Sequence, residues 1–181
     1  VEGIRAVTPV DIGYASELGY RIKHLGLLRN TNAGIEARVH PTLVPRSELM
    51  AHVNGVLNAV QVVSDAAGKT LFSGPGAGGA ATASAVVADI VASGITGDNS
   101  VADQEAARMV PIMPIEDITS AYYLRIPSRN EPGVFAEVAQ ILSSHDISID
   151  AVIQKDGHDQ GDLVDIVLLT QETLEARMNQ A

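Results

Sequence analysis

Residues 71–84, LFSGPGAGGAATAS, constrain this chain more than any other stretch. A short apolar run ends in a turn with glycine at 74, 76, 78 and 79, and the turn opens directly into the small-residue helical pattern of 81–91. So dense a glycine cluster breaks the strand and marks the entry to a helix. A helix start exposes N–H groups without intrahelical partners and the positive end of the helix dipole. Where glycine removes the side chains, an anionic or polar ligand can reach the main chain closely. Spacing alone fits a ligand-contacting loop and a purely structural turn equally well.

The letters Gly74-x-Gly76-x-x-Gly79 also match the dinucleotide fingerprint. That fingerprint belongs to a βαβ unit whose second strand ends in an acidic residue roughly 20 positions on. Here the helical pattern runs into GITGDNS at 94–100, and no apolar strand follows. Asp98 therefore has the right distance and the wrong context. A loop touching a cofactor stays open; a complete nucleotide-binding fold does not.

The 181 residues, 46% of them hydrophobic, suffice for one medium or two small domains. A formal net charge of −10 argues against nucleic acid or an anionic membrane as partner. Aromatics at 3%, with no Trp, offer no stacking platform for bases. The absence of cysteine removes disulfides, thiolate metal sites and a thiol nucleophile, and suits a reducing cytoplasm. Asp89 and Gly94 interrupt the best apolar stretch before it reaches membrane-spanning length. The chain begins Val1-Glu2 without an initiator Met and ends in a helical pattern, so both ends read as cuts in something longer.

Thr8-Pro9-Val10-Asp11 is a helix start: Thr8 caps, Pro9 suits the first helical position, and Asp11 supports the exposed N–H groups. Gly19 should stop that helix. Residues 20–28 and the strictly alternating 35–41 read as an antiparallel hairpin around a turn at 30–34, with Pro41 and Pro45 ending the second strand. Ser47 is the expected cap of a short helix containing Leu49 and Met50, and 55–63 and 69–73 are two further strands. From about residue 93 to 121 the composition shifts to small, polar and proline residues, which marks a linker or extended crossing segment. Beyond it, 122–126 reads as a strand and 127–132 as a polar loop. Gly133 opens a helix with Val134, Phe135, Val138, Ile141 and Leu142 on one face, ending at Asp146. Strands at 147–153 and 163–169 and a final helix from Thr170 complete a βαββα pattern, a ferredoxin-like unit lacking its last strand.

The loop NEPGVF at 130–135, between that strand and helix, resembles the signature of an ACT domain, and ISIDAVIQKD resembles its second strand. The resemblance implies an amino-acid sensor in which Asn130, Pro132, Gly133 and Val134 bind the effector. The physics is legible: free N–H groups at a helix start suit a carboxylate, and Asn130 can bond polar groups. Taken in order, TPVDIGYASELGYRIKHLG, GIEARVHPTLVP, GVLNAVQVVSD, GPGAGGAATASAVVADIV and the ACT blocks are similar to the C-terminal part of bacterial homoserine dehydrogenases over essentially the whole chain.

That resemblance implies an oxidoreductase using NADP or NAD to interconvert aspartate semialdehyde and homoserine, in the cytoplasm and as a homodimer or higher oligomer. It also implies that the catalytic Lys and Asp lie upstream of Val1, so no catalytic residue is assigned here; Lys23 and Lys69 are not candidates. Gly78 matches the position whose backbone meets the cofactor, Gly76 and Gly79 form the turn, and Thr82 and Ser84 can add hydroxyls. Threonine, an end product of the pathway, is the expected effector.

Other constellations carry less. His24, His40, His52, His145 and His158 lack metal-ligand spacing, and His40 beside Pro41 suits a packing role at a subunit contact. Asp156, Asp159 and Asp162 lack the ordered ligands and terminal Glu of a calcium loop. The expected architecture is α+β: a mostly antiparallel sheet with helices on one side (1–98), a linker (99–118), and an incomplete ferredoxin-like ACT unit (119–181). Two alternatives stand beside it: a stand-alone amino-acid-binding ACT regulatory protein, and an ACT-bearing dehydrogenase of the serine pathway, which the first-half blocks count against.

Overall fold

The computed structural model describes residues 3–96, 110–154 and 163–181. Along the chain run α1 (Pro9–Glu17), β1 (Tyr20–Thr31), β2 (Gly34–Pro45), β3 (Leu57–Ser64), β4 (Gly68–Pro75) and α2 (Gly79–Thr96), then β5 (Thr119–Ser120), β6 (Tyr123–Arg129), α3 (Val134–Ser144), β7 (Ile149–Gln154), β8 (Leu163–Thr170), β9 (Thr173–Leu174) and α4 (Glu175–Met178). Strands β1 and β2 pair, as do β3 and β4, β5 and β9; β6, β8 and β7 form a three-stranded sheet in that order. The mixed α+β class with antiparallel pairing is the one expected. The described residues divide into two units. One holds those up to Tyr14, His24–Pro41 and those from Val110 on; the other holds Ala15–Lys23 and the described residues from Thr42 to Thr96.

In the first unit the core lies between α3 and the three-stranded sheet. Leu142, Ile147, Ile166 and Leu168 are buried together, with Leu124, Ile126, Val134 and Val138 packed against them. β8 is central and buried on both faces, so its LVDIVLL run is continuous rather than alternating. Phe135 and Ile141, expected on the buried face, are instead 39% and 47% exposed. The helix's contact stripe is narrow, because only three strands lie beneath it.

Several expected boundaries shift for identifiable reasons. Pro127 does not open a loop: it pairs opposite Asp165 within β6, an edge strand where its missing N–H costs no ladder bond. Pro41 likewise lies inside β2, which runs on to Pro45. The hairpin turn is confined to Asn32 and Ala33, because β1 extends to Thr31. Thr170 ends β8 instead of starting a helix, and the chain first forms β9 against β5. The 3₁₀ turn Leu49–His52 has Glu48 as its N-cap with no side-chain cap bond, so Ser47 does not cap it.

The proline-flanked segment after residue 109 crosses in extended form. Its Ile112 bridges Ile35 in parallel, with Ile35 N–H on Pro111 O at 2.8 Å and Met113 N–H on Ile35 O at 2.9 Å. In β2 the polar face is the buried one: Glu36, its side chain 5% exposed, meets Arg38 at 2.8 Å and Arg29 at 3.5 Å.

In the second unit, β3 and β4 form a hairpin with Val60 directly opposite Phe72, both well exposed. The small-residue helix α2 leaves Val86, Val87, Ile90 and Val91 exposed. An isolated two-stranded hairpin is marginal in water. Among the described residues no helix is long and apolar enough to cross a membrane.

Candidate functional site

The glycine turn leaves β4 and enters α2 over residues 75–80, all of them exposed. Gly76 N–H bonds to Val56 O at 2.8 Å, tying the turn to the residue before β3. A Cβ at Gly76 would lie 1.7 Å from Asn58 Nδ2 and 2.3 Å from its Cγ, so the carboxamide fills the volume of a side chain there. Gly78 adopts φ +120° with open space around it, and Gly79 is equally unobstructed. The first helical bond runs from Thr82 N–H to Gly78 O at 3.0 Å. The N–H groups of Gly79, Ala80 and Ala81 therefore precede the helix ladder. A bare, exposed helix start of this kind fits the phosphate or amide groups of a dinucleotide.

A second helix start, in the other unit, carries the remaining candidates. Gly133 is the N-cap of α3 with φ 100°, and Glu137 N–H makes the first helical bond to its carbonyl at 3.0 Å. Asn130, Pro132 and Gly133 are exposed and Val134 is half-buried. The loop is steadied by Glu131 N–H on Arg129 O at 2.9 Å, and Ser128 beneath it is buried with its hydroxyl on Val164 O. Replacing Gly133 with alanine forces a Cβ into the left-handed region and is expected to cost about 1 kcal/mol, read as a lowered Tm.

The best-defined polar cluster is one that sequence reasoning missed. Asp11 is a capping residue as expected, accepting bonds from Thr8 N–H at 2.7 Å and Thr8 Oγ1 at 2.6 Å. It also accepts from Tyr123 OH at 3.0 Å and Arg125 Nε at 2.6 Å, more than a hundred residues away, while Arg125 Nη1 lies 3.5 Å from Asp165. Burial alone would raise the Asp11 pKa, but the bonds from Arg125, Thr8 and Tyr123 outweigh it and hold the carboxyl down at about 2. Burial and Asp11 push the Tyr123 phenol up, so it stays a donor, and the Asp11 bond raises Arg125. One signal was available: Tyr123 and Arg125 alternate with the core residues Leu124 and Ile126, which puts a cation on the sheet face away from α3.

Among the described residues Lys23 and Lys69 have structural partners. Lys23 Nζ bonds Val53 O and Asn54 Oδ1, and Lys69 meets Glu48 at 2.8 Å. His40 Nδ1 lies 2.9 Å from Pro41 O and His52 Nε2 2.8 Å from Arg46 O. Asp98, His158 and the Asp156, Asp159, Asp162 series lie outside the described residues. Among the described residues no group of three or more His, Asp or Glu side chains gathers in a way that would hold a metal ion.

Residues 1–91 match the family model for homoserine dehydrogenase, and residues 122–180 match the ACT domain model. The homoserine dehydrogenase of Pseudomonas aeruginosa is 50% identical over 188 residues, spanning 99% of this chain and 43% of that protein. That of Neisseria gonorrhoeae is 47% identical, again covering 43% of its length. The crystal structure of a homoserine dehydrogenase from Thiobacillus denitrificans superposes with a TM-score of 0.82 at 46% identity, over 98% of this chain and 41% of that one. The chain thus spans less than half the length of the relatives it matches.

Proposed function

Because the chain belongs to the homoserine dehydrogenase family, we propose that it is the C-terminal part of an NAD(P)-dependent enzyme interconverting L-aspartate 4-semialdehyde and L-homoserine, with an ACT domain that senses an amino-acid effector. The observation that carries this reading is the pairing, in one chain, of the homoserine dehydrogenase match over 1–91 with the ACT match over 122–180. We take 1–98 as the later part of the catalytic and dimerisation domain, 99–118 as a linker and 119–181 as the regulatory domain.

The cofactor, when bound, supplies the hydride acceptor or donor for the C4 carbon of the substrate. This chain's share is one wall of its pocket. Gly78 lets the main chain approach, Gly76 and Gly79 shape the turn, and the unpaired N–H groups at the start of α2 suit an anionic group. The catalytic Lys and Asp belong to the part of the enzyme upstream of Val1. Asn130, Pro132, Gly133 and Val134 form the effector loop, with L-threonine the effector. The bare apolar residues Val60, Phe72, Val86 and Ile90 support a homo-oligomer whose other parts cover them.

Three measurements test this. The isolated 181-residue chain should not oxidise homoserine with either dinucleotide, whereas the full-length enzyme should. In the full-length enzyme, Gly78→Ala should raise the KM for the dinucleotide about tenfold with a smaller change in kcat, because φ +120° is a conformation alanine resists and the turn must shift, whereas in Gly76→Ala the Asn58 carboxamide can swing aside and the effect should be smaller. Calorimetry should detect L-threonine binding. Turnover by the isolated chain would overturn the placement of the catalytic residues. An unchanged dinucleotide KM in Gly78→Ala would overturn the cofactor wall. Threonine binding with no cofactor dependence in any longer polypeptide would favour a stand-alone sensor.

A further inference from the structure

Strand β6 has a polar anchor at its start and the candidate effector loop at its end. Tyr123 and Arg125 bind Asp11 of α1, while four residues after Arg125 the strand ends at Arg129 and the chain enters Asn130. Asp11 falls within the homoserine dehydrogenase match and Arg125 within the ACT match, so this cluster ties one matched segment directly to the other. We propose that the Asp11–Tyr123–Arg125 cluster, with Asp165 as the second carboxylate on Arg125, relays occupancy of the effector loop to α1 and through it to the oxidoreductase half.

Coupling between distant sites needs an element that both sites can bias, and a guanidinium held at once by carboxylates on two elements can shift its weight between them. Arg125 now favours Asp11, with Nε at 2.6 Å, and holds Asp165 loosely, with Nη1 at 3.5 Å. Asp165 stands on β8 opposite Pro127, two residues nearer the effector loop than Arg125. β6 is paired to β8 along its whole length, from Tyr123 opposite Leu169 to Arg129 opposite Leu163, so a shift at its loop end carries Arg125 and Asp165 together, away from Asp11 of α1. That movement removes the cation from Asp11, whose carboxylate also caps α1 through Thr8. The start of α1 is then the receiving element.

This inference rests on the effector reading above, and the experiment separates the two. In the full-length enzyme, the Kd of L-threonine is measured by calorimetry with and without NADP and homoserine; the ratio of the two values is the coupling. Wild type should show a ratio of about fivefold or more, within the usual range of allosteric coupling. Tyr123→Phe, which removes one bond to Asp11 without changing shape, and Asp165→Asn, which removes the second carboxylate, should bring the ratio close to one while effector-free turnover persists. Arg125→Lys, which keeps the charge and loses the fork, should do the same. A wild-type ratio in all three variants, even with a lowered Tm, would show a merely structural cluster and overturn the relay. Absence of L-threonine binding to wild type would remove the effector reading, and the relay with it.

Discussion

Replacing Arg125 with methionine is expected to destabilise the fold by about 3 kcal/mol, because it leaves the Asp11 carboxylate buried without a cation. The Asp11 side chain is 8% exposed, and Arg125 Nε is its only charged partner among the described interactions. Methionine retains the packing of the aliphatic stem, so the loss is electrostatic rather than a cavity. The same site sets an acid limit on the fold. The folded pKa of about 2 lies below the ordinary 3.8, so the ionised form favours folding. That contribution, about 2 kcal/mol, is complete above pH 4 or so and fades as the pH falls toward 2. Tyr123 and Arg125, which bond this carboxylate, are both pushed up, so they keep their protons throughout that range and do not reverse the sign. In Arg125→Met, burial is no longer outweighed to the same extent, and the acid unfolding midpoint should move to higher pH. Urea unfolding at several pH values checks both; equal stability of the two proteins at pH 7 would contradict the account.

Gly34→Ala is expected to be at least as damaging. Gly34 is buried with φ +142°, and a Cβ there would lie 2.4 Å from Pro111 O. That oxygen accepts the Ile35 N–H bond, and the next link, Met113 N–H to Ile35 O, follows directly. A backbone carbonyl cannot swing aside as the tip of a side chain can, so the crossing segment must detach from β2. Two main-chain bonds and the Thr31 hydroxyl contact with Met113 Sδ at 3.3 Å go with it. The combined strain and bond loss should cost about 3 kcal/mol or more. Gly55→Ala is the control: φ is positive (+64°) but nothing lies within 4 Å of the new Cβ, and only about 1 kcal/mol should be lost. Faster amide exchange at Ile35 and Met113 in Gly34→Ala, with protection retained in Gly55→Ala, would locate the damage.

Much of the local structure was legible because it is encoded locally. Thr8-Pro9-Val10-Asp11 makes the capping bonds its spacing implies, and Gly19 takes the positive φ of a helix stop. Gly133 opens α3 for the same kind of reason. The misreadings fall where a local rule met a tertiary exemption. Pro41 and Pro127 are strand breakers only if their nitrogen faces a ladder partner, and an alternating sequence cannot say which edge will be free. Phe135 and Ile141 looked buried because periodicity records an apolar stripe without recording how wide a sheet lies beneath it. The letters of the glycine turn imply an exposed helix start, but the Asn58 carboxamide against Gly76 depends on β3 pairing with β4 in one register, Asn58 opposite Gly74.

Neighbours within a few residues fix the caps, the turns, the apolar runs and the two glycine-led helix starts. These are set by backbone sterics and short-range hydrogen bonding, which any chain carrying those letters must obey. Long-range packing is what brings Asp11 to Tyr123 and Arg125 and lays Pro111 across Gly34. Such meetings depend on how two distant segments pack, and a carboxylate written into the first turn of a helix has no local sign of which cation it will find.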